Sequence, residues 1–527
     1  MNKRRPQKKK RGKIVKNKFA FCRFLFQLHK RSFLICLFLL IPLFSSFHFN
    51  FSFAQDFGLG ESDSWTIRAS NQLEYSSDRK THQDIFHNWT DLDLTYGNYK
   101  VNLRYEAHQP DDWGQTWQKL SFRNLQLSNE FFNITAGNYY VIFGRGLILR
   151  SYENRDLRHD NNLDGVRGTI EFEGFNLTLL GGTAMGKYER LDDPLHAADG
   201  KIAFTDWMTL GGSYLRTNIT DFGLVRLFGG NASVSLPHVD FYAEYAKKDN
   251  PPGKYIPDDG KGIYLSTNIY TAGMGLALEF KDYDKFDFTN PNQNVALNNP
   301  PPLAREHMYT LLNRHAYVPD LIDERGIQAE LTSSPLEQVS LLANYSYTAE
   351  RKDKFCFGKL LFSEIYGELE YDYKDMATLK GGFSRQETKQ EEGDPVRLAP
   401  VLDLVYYLSE ANSVNFVLEH LYTQKDYDEK LDGYKRTYYD QILSLSFSQS
   451  PTGSITLTHE RTTEWKIRER WSGRKDWLIA TLDLAMGENH NLSLSVGSRP
   501  KGKVCAGGVC VDKPALDGWE IKLLSQF

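Results

Sequence analysis

The chain has 527 residues, 13% aromatic and 25% charged, with five cysteines and a formal net charge of −4. That charge hides an asymmetry: 13 of the 63 Lys and Arg lie in residues 1–31, which hold no acid, and the other 50 face 67 acids, a balance of −17. So acidic a body excludes nucleic acid as a partner on electrostatic grounds, and the three cysteines beyond residue 54 are too few for a disulfide-stapled scaffold.

The basic opening runs into Phe33-Leu34-Ile35-Cys36-Leu37-Phe38-Leu39-Leu40-Ile41-Pro42-Leu43-Phe44, then into the small residues of Ser52-Phe53-Ala54. A charged n-region, a short apolar core and a cleavage site predict a secretory signal over 1–54. Ser32 to Phe53 is long enough to anchor in a bilayer, but the short core and the cleavage site favour the signal. Cys36 lacks the small residue that precedes a lipid-modified cysteine. A short segment, 55–64, then leads into the body, 65–527.

Beyond Ala54 no apolar run approaches the roughly twenty residues of a membrane helix. The body instead alternates. Tyr99, Val101, Leu103 and Tyr105 alternate with Lys100, Asn102, Arg104 and Glu106. Val339, Leu341, Ala343, Tyr345 and Tyr347 alternate with Ser340, Asn344, Ser346 and Thr348, and Leu478, Ala480, Leu482 and Leu484 with Thr481 and Asp483. Each such stretch is a strand with one apolar and one wet face.

Tight turns rich in Gly, Pro, Asn, Asp and Ser, such as Gly97-Asn98, Glu173-Gly174, Pro237-His238 and Lys374-Asp375, alternate with longer polar stretches at 76–85, 109–116, 189–204, 284–323, 389–396, 427–437 and 466–475. Short turns at one end and long loops at the other predict an all-β fold: a single large antiparallel transmembrane β-barrel, with short periplasmic turns and longer extracellular loops. The count is about 22 strands, with 20 to 24 accommodated. It carries a parity conflict, because Asn218–Asp221 and Pro237-His238 both read as short turns. A pair of soluble β-sandwiches would explain the strands but not the asymmetric turns or the absence of a linker.

Five arginines, Arg145, Arg150, Arg155, Arg158 and Arg167, crowd a segment that begins Phe143-Gly144-Arg145-Gly146. They predict either a loop entering the lumen as a constriction for anionic or polar solutes, or an exposed loop with solvated charges. Charge density alone favours the exposed loop. Segment 284–323 contains Asn298-Asn299-Pro300-Pro301-Pro302, and its His307 and His315 lack metal-ligand spacing. Glu364, Glu368, Glu370 and Asp372 share one face of a strand, an acidic lumen stripe that ordinary balancing by Lys and Arg would also explain. In Val504-Cys505-Ala506-Gly507-Gly508-Val509-Cys510-Val511, a two-residue primed turn at Gly507-Gly508 would set Cys505 opposite Cys510 in a non-hydrogen-bonded pair, close enough for a disulfide. No phosphate-binding loop, zinc-protease helix or nucleophile elbow occurs, so catalytic residues, metal and cofactor are all expected to be none.

The chain closes on Gly518-Trp519-Glu520-Ile521-Lys522-Leu523-Leu524-Ser525-Gln526-Phe527. Trp519, Ile521, Leu523 and Phe527 share the lipid side of an expected last strand, which should pair with the first near Trp65–Tyr75. A terminal aromatic on such a strand is similar to the sorting signal of outer-membrane barrels.

The stretches Thr135-Ala136-Gly137-Asn138-Tyr139, Phe143-Gly144-Arg145-Gly146-Leu147, Asn299-Pro300-Pro301 with Asn313-Arg314, and the Cys505–Cys510 hairpin resemble an uncharacterised domain-of-unknown-function family of large outer-membrane β-barrel proteins of Bacteroidota-like bacteria. The resemblance covers most of the body. It implies a barrel in the cell outer membrane, with outer-membrane lipid and the barrel-assembly machinery as partners; it implies no catalytic residue, substrate or cofactor. The expected function is a porin-like channel for small polar or charged solutes, with a partner-docking barrel of a secretion or surface-assembly system as the alternative and an enzyme last.

Overall fold

The computed structural model describes residues 64–527 apart from 112–113, 187, 251–258, 291–294, 320, 353–355, 390–392, 426–435, 465–474 and 507–508. Residues 1–63, and with them the expected leader, lie outside the described residues. The barrel strands are β1 Trp65–Asp78, β2 Gln83–Tyr96, β3 Tyr99–Gln109, β4 Trp117–Ser128, β5 Phe132–Tyr139, β6 Leu163–Phe172, β7 Phe175–Ala184, β8 Leu195–Thr205, β9 Met208–Ile219, β10 Gly223–Leu236, β11 Val239–Asp249 and β12 Gly260–Thr271. They continue as β13 Met274–Asp284, β14 Asp323–Leu336, β15 Val339–Lys352, β16 Cys356–Tyr373, β17 Ala377–Thr388, β18 Val396–Tyr407, β19 Asn412–Lys425, β20 Arg436–Gln449, β21 Gly453–Thr462, β22 Asp476–Met486, β23 His490–Arg499 and β24 Leu516–Gln526.

Each strand pairs antiparallel with the next, and β24 returns to β1, so the 24-stranded sheet has no edge. The seam sets Leu523 opposite Leu73, Ile521 opposite Tyr75 and Trp519 opposite Ser77. It runs over Ser70–Asp78 rather than starting at Trp65.

Polarity is inverted relative to a water-soluble protein. Val166, Leu179, Leu341, Ile365, Leu369, Leu445 and Leu457 point outward and are exposed. Asn344, Ser346, Thr348, Glu364, Ser384, Thr423 and Asp440 point inward and are buried. Exposed aromatics gather at the short-turn rim, among them Trp65, Tyr99, Phe172, Phe204, Trp207, Tyr270, Tyr373 and Tyr407. An apolar outer band bounded by aromatics and a polar interior is the surface that lipid selects, because unpaired polar groups in hydrocarbon are costly.

Connections at one rim are two to four residues long, while those at the other reach the 38 residues of 285–322. The parity conflict resolves through one unforeseen strand. Residues 195–204 are not a loop: they belong to β8, joined to β9 by the tight turn Asp206-Trp207. The outward side of β8 begins with His196, Ala198 and Gly200, so its lipid face carries no large apolar residue until Ile202. Thr220–Phe222 therefore sits at the long-loop rim and Pro237-His238 at the other.

The inner wall is also less uniformly polar than alternation suggested. On β6–β13 it carries Leu163, Leu180, Leu195, Leu215, Ile219, Val225, Leu227, Tyr264 and Tyr283, all buried in one apolar cluster. What covers this cluster is not another sheet but two segments of the barrel's own chain.

Candidate functional site

Two long-loop-rim connections, 140–162 and 285–322, fold into the lumen. The first is built by a tight turn in which Phe143 accepts from the Gly146 amide at 2.9 Å and its own amide donates to Leu149 at 3.0 Å. Gly144 and Gly146 have φ of +54° and +89°, conformations that side chains resist. Both are also crowded: a Cβ on Gly144 would lie 2.4 Å from the Glu244 carboxylate, and one on Gly146 2.8 Å from the Asn299 carbonyl. The turn projects Leu147, Ile148 and Leu149 into the apolar inner wall, where each is fully buried. Gly229 on β10 leaves the space that the Ile148 side chain fills, and Gly262 on β12 does the same for Phe286 of the second segment.

Beyond the turn, short ribbons pair Val141–Ile142 with Arg150–Ser151 and Glu153–Asn154 with His159–Asp160. They carry charge across to the opposite wall. Arg155 reaches Asp91 on β2 at 2.7 Å and Glu153 at 2.7 Å; Arg158 reaches Glu74 on β1 at 2.5 Å. Both guanidinium groups lie over the buried ring of Trp89, at 5.9 and 4.9 Å. Arg104 on β3 bridges Asp91 at 2.6 Å and Glu153 at 2.9 Å, and Lys522 on β24 holds both Glu74 and Asp156. Burial pushes the Glu153 and Asp160 carboxyls above the usual carboxylate range, against the pull of Arg104 on both.

The second segment is tied to the first by backbone and amide bonds. Arg150 donates to the Leu297 carbonyl at 3.0 Å, Asn299 to Gly146 at 3.1 Å, and the Asn298 amide to Leu147 at 3.2 Å. It then crosses toward the other side of the barrel. Lys281 on β13 donates to the Pro302 carbonyl at 2.6 Å, and Arg305 pairs with Glu330 on β14. His307 meets Glu364 on β16 at 2.9 Å. The short helix α1, Thr310–Asn313, buries Leu311 and Leu312 against Tyr366, Ala399, Val401, Leu421 and Ile442 of the wall. The Leu311 amide donates to Glu419 on β19 at 2.6 Å, and Arg314 pairs with Glu460 on β21 at 2.7 Å. Together the segments touch β1–β3 and β24, the β6–β14 wall, and β16–β21. They form a plug that is continuous with the barrel.

The 143–160 stretch is therefore not a solvated surface loop: its apolar centre and its ion pairs lie inside. The five arginines do not gather at one point. Arg145 lies 5.2 Å over the Tyr242 ring, with its amide on Glu244 at 2.7 Å. Arg150 lies 4.8 Å over Tyr152, Arg155 and Arg158 serve the far wall, and Arg167 on β6 donates to the Tyr140 carbonyl at 2.9 Å.

Nor is the acidic stripe a row of free charges. Glu364 accepts from His307, Ser384 and Gln386; Glu368 accepts from Tyr366; Glu370 pairs with Lys380 at 2.7 Å; and Asp372 accepts from Thr378 at 2.6 Å. Sequence reasoning missed the wall partners Glu74, Asp91, Arg104 and Glu460. It also missed Leu147-Ile148-Leu149, although three apolar residues inside a charged stretch are themselves a signal of an anchor.

Cys505 is registered opposite Cys510 in the hairpin Gly502–Ala506 with Val509–Lys513, at the long-loop rim. The side chains of both cysteines and the Gly507-Gly508 turn lie outside the described residues. Among the described residues, no group of three or more His, Cys, Asp or Glu is placed to hold a metal ion.

No curated protein matches the chain. Among solved structures, it is similar to the P pilus usher PapC translocation pore, with a TM-score of 0.46 and 10% identity over 88% of this chain and 98% of that one. It is similar to a chain of the E. coli P pilus tip assembly intermediate PapC-PapD-PapK-PapG, with a TM-score of 0.51 and 9% identity over 89% of this chain and 62% of that one. It is similar also to Pseudomonas aeruginosa OccK5 (OpdH), with a TM-score of 0.39 and 11% identity over 65% of this chain and 97% of that one. At such identities the likeness concerns fold alone. The sequence profile of a family of unknown function, DUF6029, matches residues 29–527, and the chain belongs to that family.

Proposed function

We propose that this protein is an outer-membrane channel of porin-like type, in which small polar or charged solutes pass through a lumen narrowed by the barrel's own two inward segments. The observation that carries this reading is the plug itself. A polar interior inside an apolar band supplies a path through lipid, and a covalently continuous plug sets how much of that path is open. The short-turn rim would face the periplasm and the long-loop rim the exterior.

A partner-docking barrel is the second reading. It is favoured by how many wall strands grip the plug, since a fixed plug would leave the barrel as a platform rather than a pore. Planar-bilayer recording separates the two. The intact barrel is expected to show small conductance steps, and a barrel with 286–321 replaced by a short Gly-Ser linker several-fold larger ones. An intact barrel that shows heat-modifiable gel mobility and does not conduct would sink the channel reading, and a folded variant that conducts no more than the intact protein would show that 286–321 does not narrow the lumen.

A further inference from the structure

The outer wall has a basic face. His196 on β8 is registered opposite Arg216 on β9, Arg216 opposite Arg226 on β10, and Lys247 on β11 opposite Lys261 on β12. His196, Arg216, Arg226 and Lys247 are exposed and alternate with the buried inward residues Ala197, Leu215, Leu227 and Ala246, so these basic groups point away from the lumen. All five stand within a few residues of the long-loop rim.

Like charges directly opposite one another on a sheet repel, and this row sets Arg against Arg and Lys against Lys. Compensation is thin. Asp249 stands 3.6 Å from Arg226. Asp284, opposite Lys261, is engaged by Arg351 at 2.8 Å. Among the described residues, no carboxylate lies within ion-pair distance of Arg216, Lys247 or Lys261.

The surface beneath the row is suited to hydrocarbon. Tyr214 and Phe228 form a tilted pair 5.1 Å apart, and Tyr245 stands exposed on the next strand. Below them Gly200, Gly212 and Gly230 are in register on three adjacent strands, and nothing but ordinary contact would meet a Cβ on any of them. Beside this smooth patch an open groove of about 510 Å³ is lined by Val166, Leu179, Gly181, His196, Ala198 and Tyr214. Cations above, aromatics at the boundary and a smooth apolar recess below match a molecule with an anionic head and several acyl chains.

We propose that the outer face of β6–β12 binds a phosphate-bearing glycolipid of the outer leaflet. Its phosphates lie on Arg216, Arg226 and Lys247, and its chains lie over the glycine patch and groove. The phosphate supplies the negative charge that the strand register leaves uncompensated. The assignment rests on the long-loop rim facing the exterior.

The test uses the full barrel in neutral detergent, titrated by native mass spectrometry with diphosphorylated lipid A, its dephosphorylated form, and phosphatidylcholine. The expected result is preferential retention of the diphosphorylated lipid, reduced at least about tenfold in a triple variant, Arg216→Ser with Arg226→Ser and Lys247→Ser. Phosphatidylcholine retention should not change, and heat-modifiable mobility should show that the variant is folded. Equal retention by variant and parent, or of the phosphorylated and dephosphorylated lipids, overturns the proposal. Competition by inorganic phosphate at the same concentration as the lipid also overturns it, because a free anion would then suffice. Membrane fractionation tests the location separately, so failure of one reading is distinguishable from failure of the other.

Discussion

Single residues decide whether the plug can seat. Gly229 and Gly262 are spaces in the wall rather than flexible joints. An ideal Cβ on Gly229 would lie 2.4 Å from the Ile148 side chain, and one on Gly262 2.8 Å from the Phe286 ring. Gly229→Val should therefore expel Ile148 and raise conductance while leaving the sheet closed, which bilayer recording and gel mobility together would show. Arg158→Ala removes one partner of Glu74 but leaves Lys522 3.2 Å from that carboxylate. Because the pair is partly solvated and Glu74 is not orphaned, the cost should stay near 1–2 kcal/mol of docking. Amide exchange over 141–160 should accelerate by roughly tenfold while exchange in β1 and β2 does not change; unchanged exchange over 141–160 would mean that Arg158 does not hold the segment.

At the level of elements, the plug joins two kinds of adhesion. The segment 140–162 is held on one side by apolar burial of Leu147–Leu149 and on the other by charge, through Arg155 and Arg158. Charge screening by a salt such as NaCl does not weaken apolar contact, whereas it weakens partly exposed ion pairs, so the β1–β3 side should loosen first. The rim hairpin 502–513 makes a separate prediction. With Cys505 registered opposite Cys510, thiol titration of the oxidised protein lacking residues 1–54 should find one free thiol, the exposed Cys356. Three free thiols would refute the disulfide. Because the bond would close a very short loop, its reduction should leave the temperature of the gel-mobility shift unchanged.

For the whole molecule, the inverted polarity makes neighbouring residues respond in opposite ways. Leu445 points outward near the middle of β20, and Ser446 points inward, with its hydroxyl 2.8 Å from that of Thr456. Leu445→Arg places a charge in hydrocarbon and should cost about 2–4 kcal/mol, seen as lower assembly yield and an earlier gel-mobility transition. Ser446→Arg faces water and should assemble normally while shifting the ion preference of conductance. Equal tolerance of both would contradict the lipid-facing assignment of β20.

The strand alternation and the turn asymmetry were legible in residues such as Leu341, Tyr345 and Ser346, because side-chain direction in a strand has period two and lipid enforces an apolar outer face along most of the wall. The seam residues Trp519, Ile521 and Leu523 were legible for the same reason. β8 was not, since His196, Ala198 and Gly200 occupy its outer face and carry no apolar signal. The plug was not legible either. Whether a charged loop enters a lumen or leaves it depends on contacts such as Arg155 with Asp91 and Asn298 with Leu147, which join residues far apart in the chain. Local pattern thus determined that this chain forms an inverted β-barrel, because most strands report their two environments by themselves and the few that do not are fixed by their neighbours. Only the tertiary structure decided that two of the chain's own segments fold into the barrel, because the wall sites for them exist only once the sheet has closed.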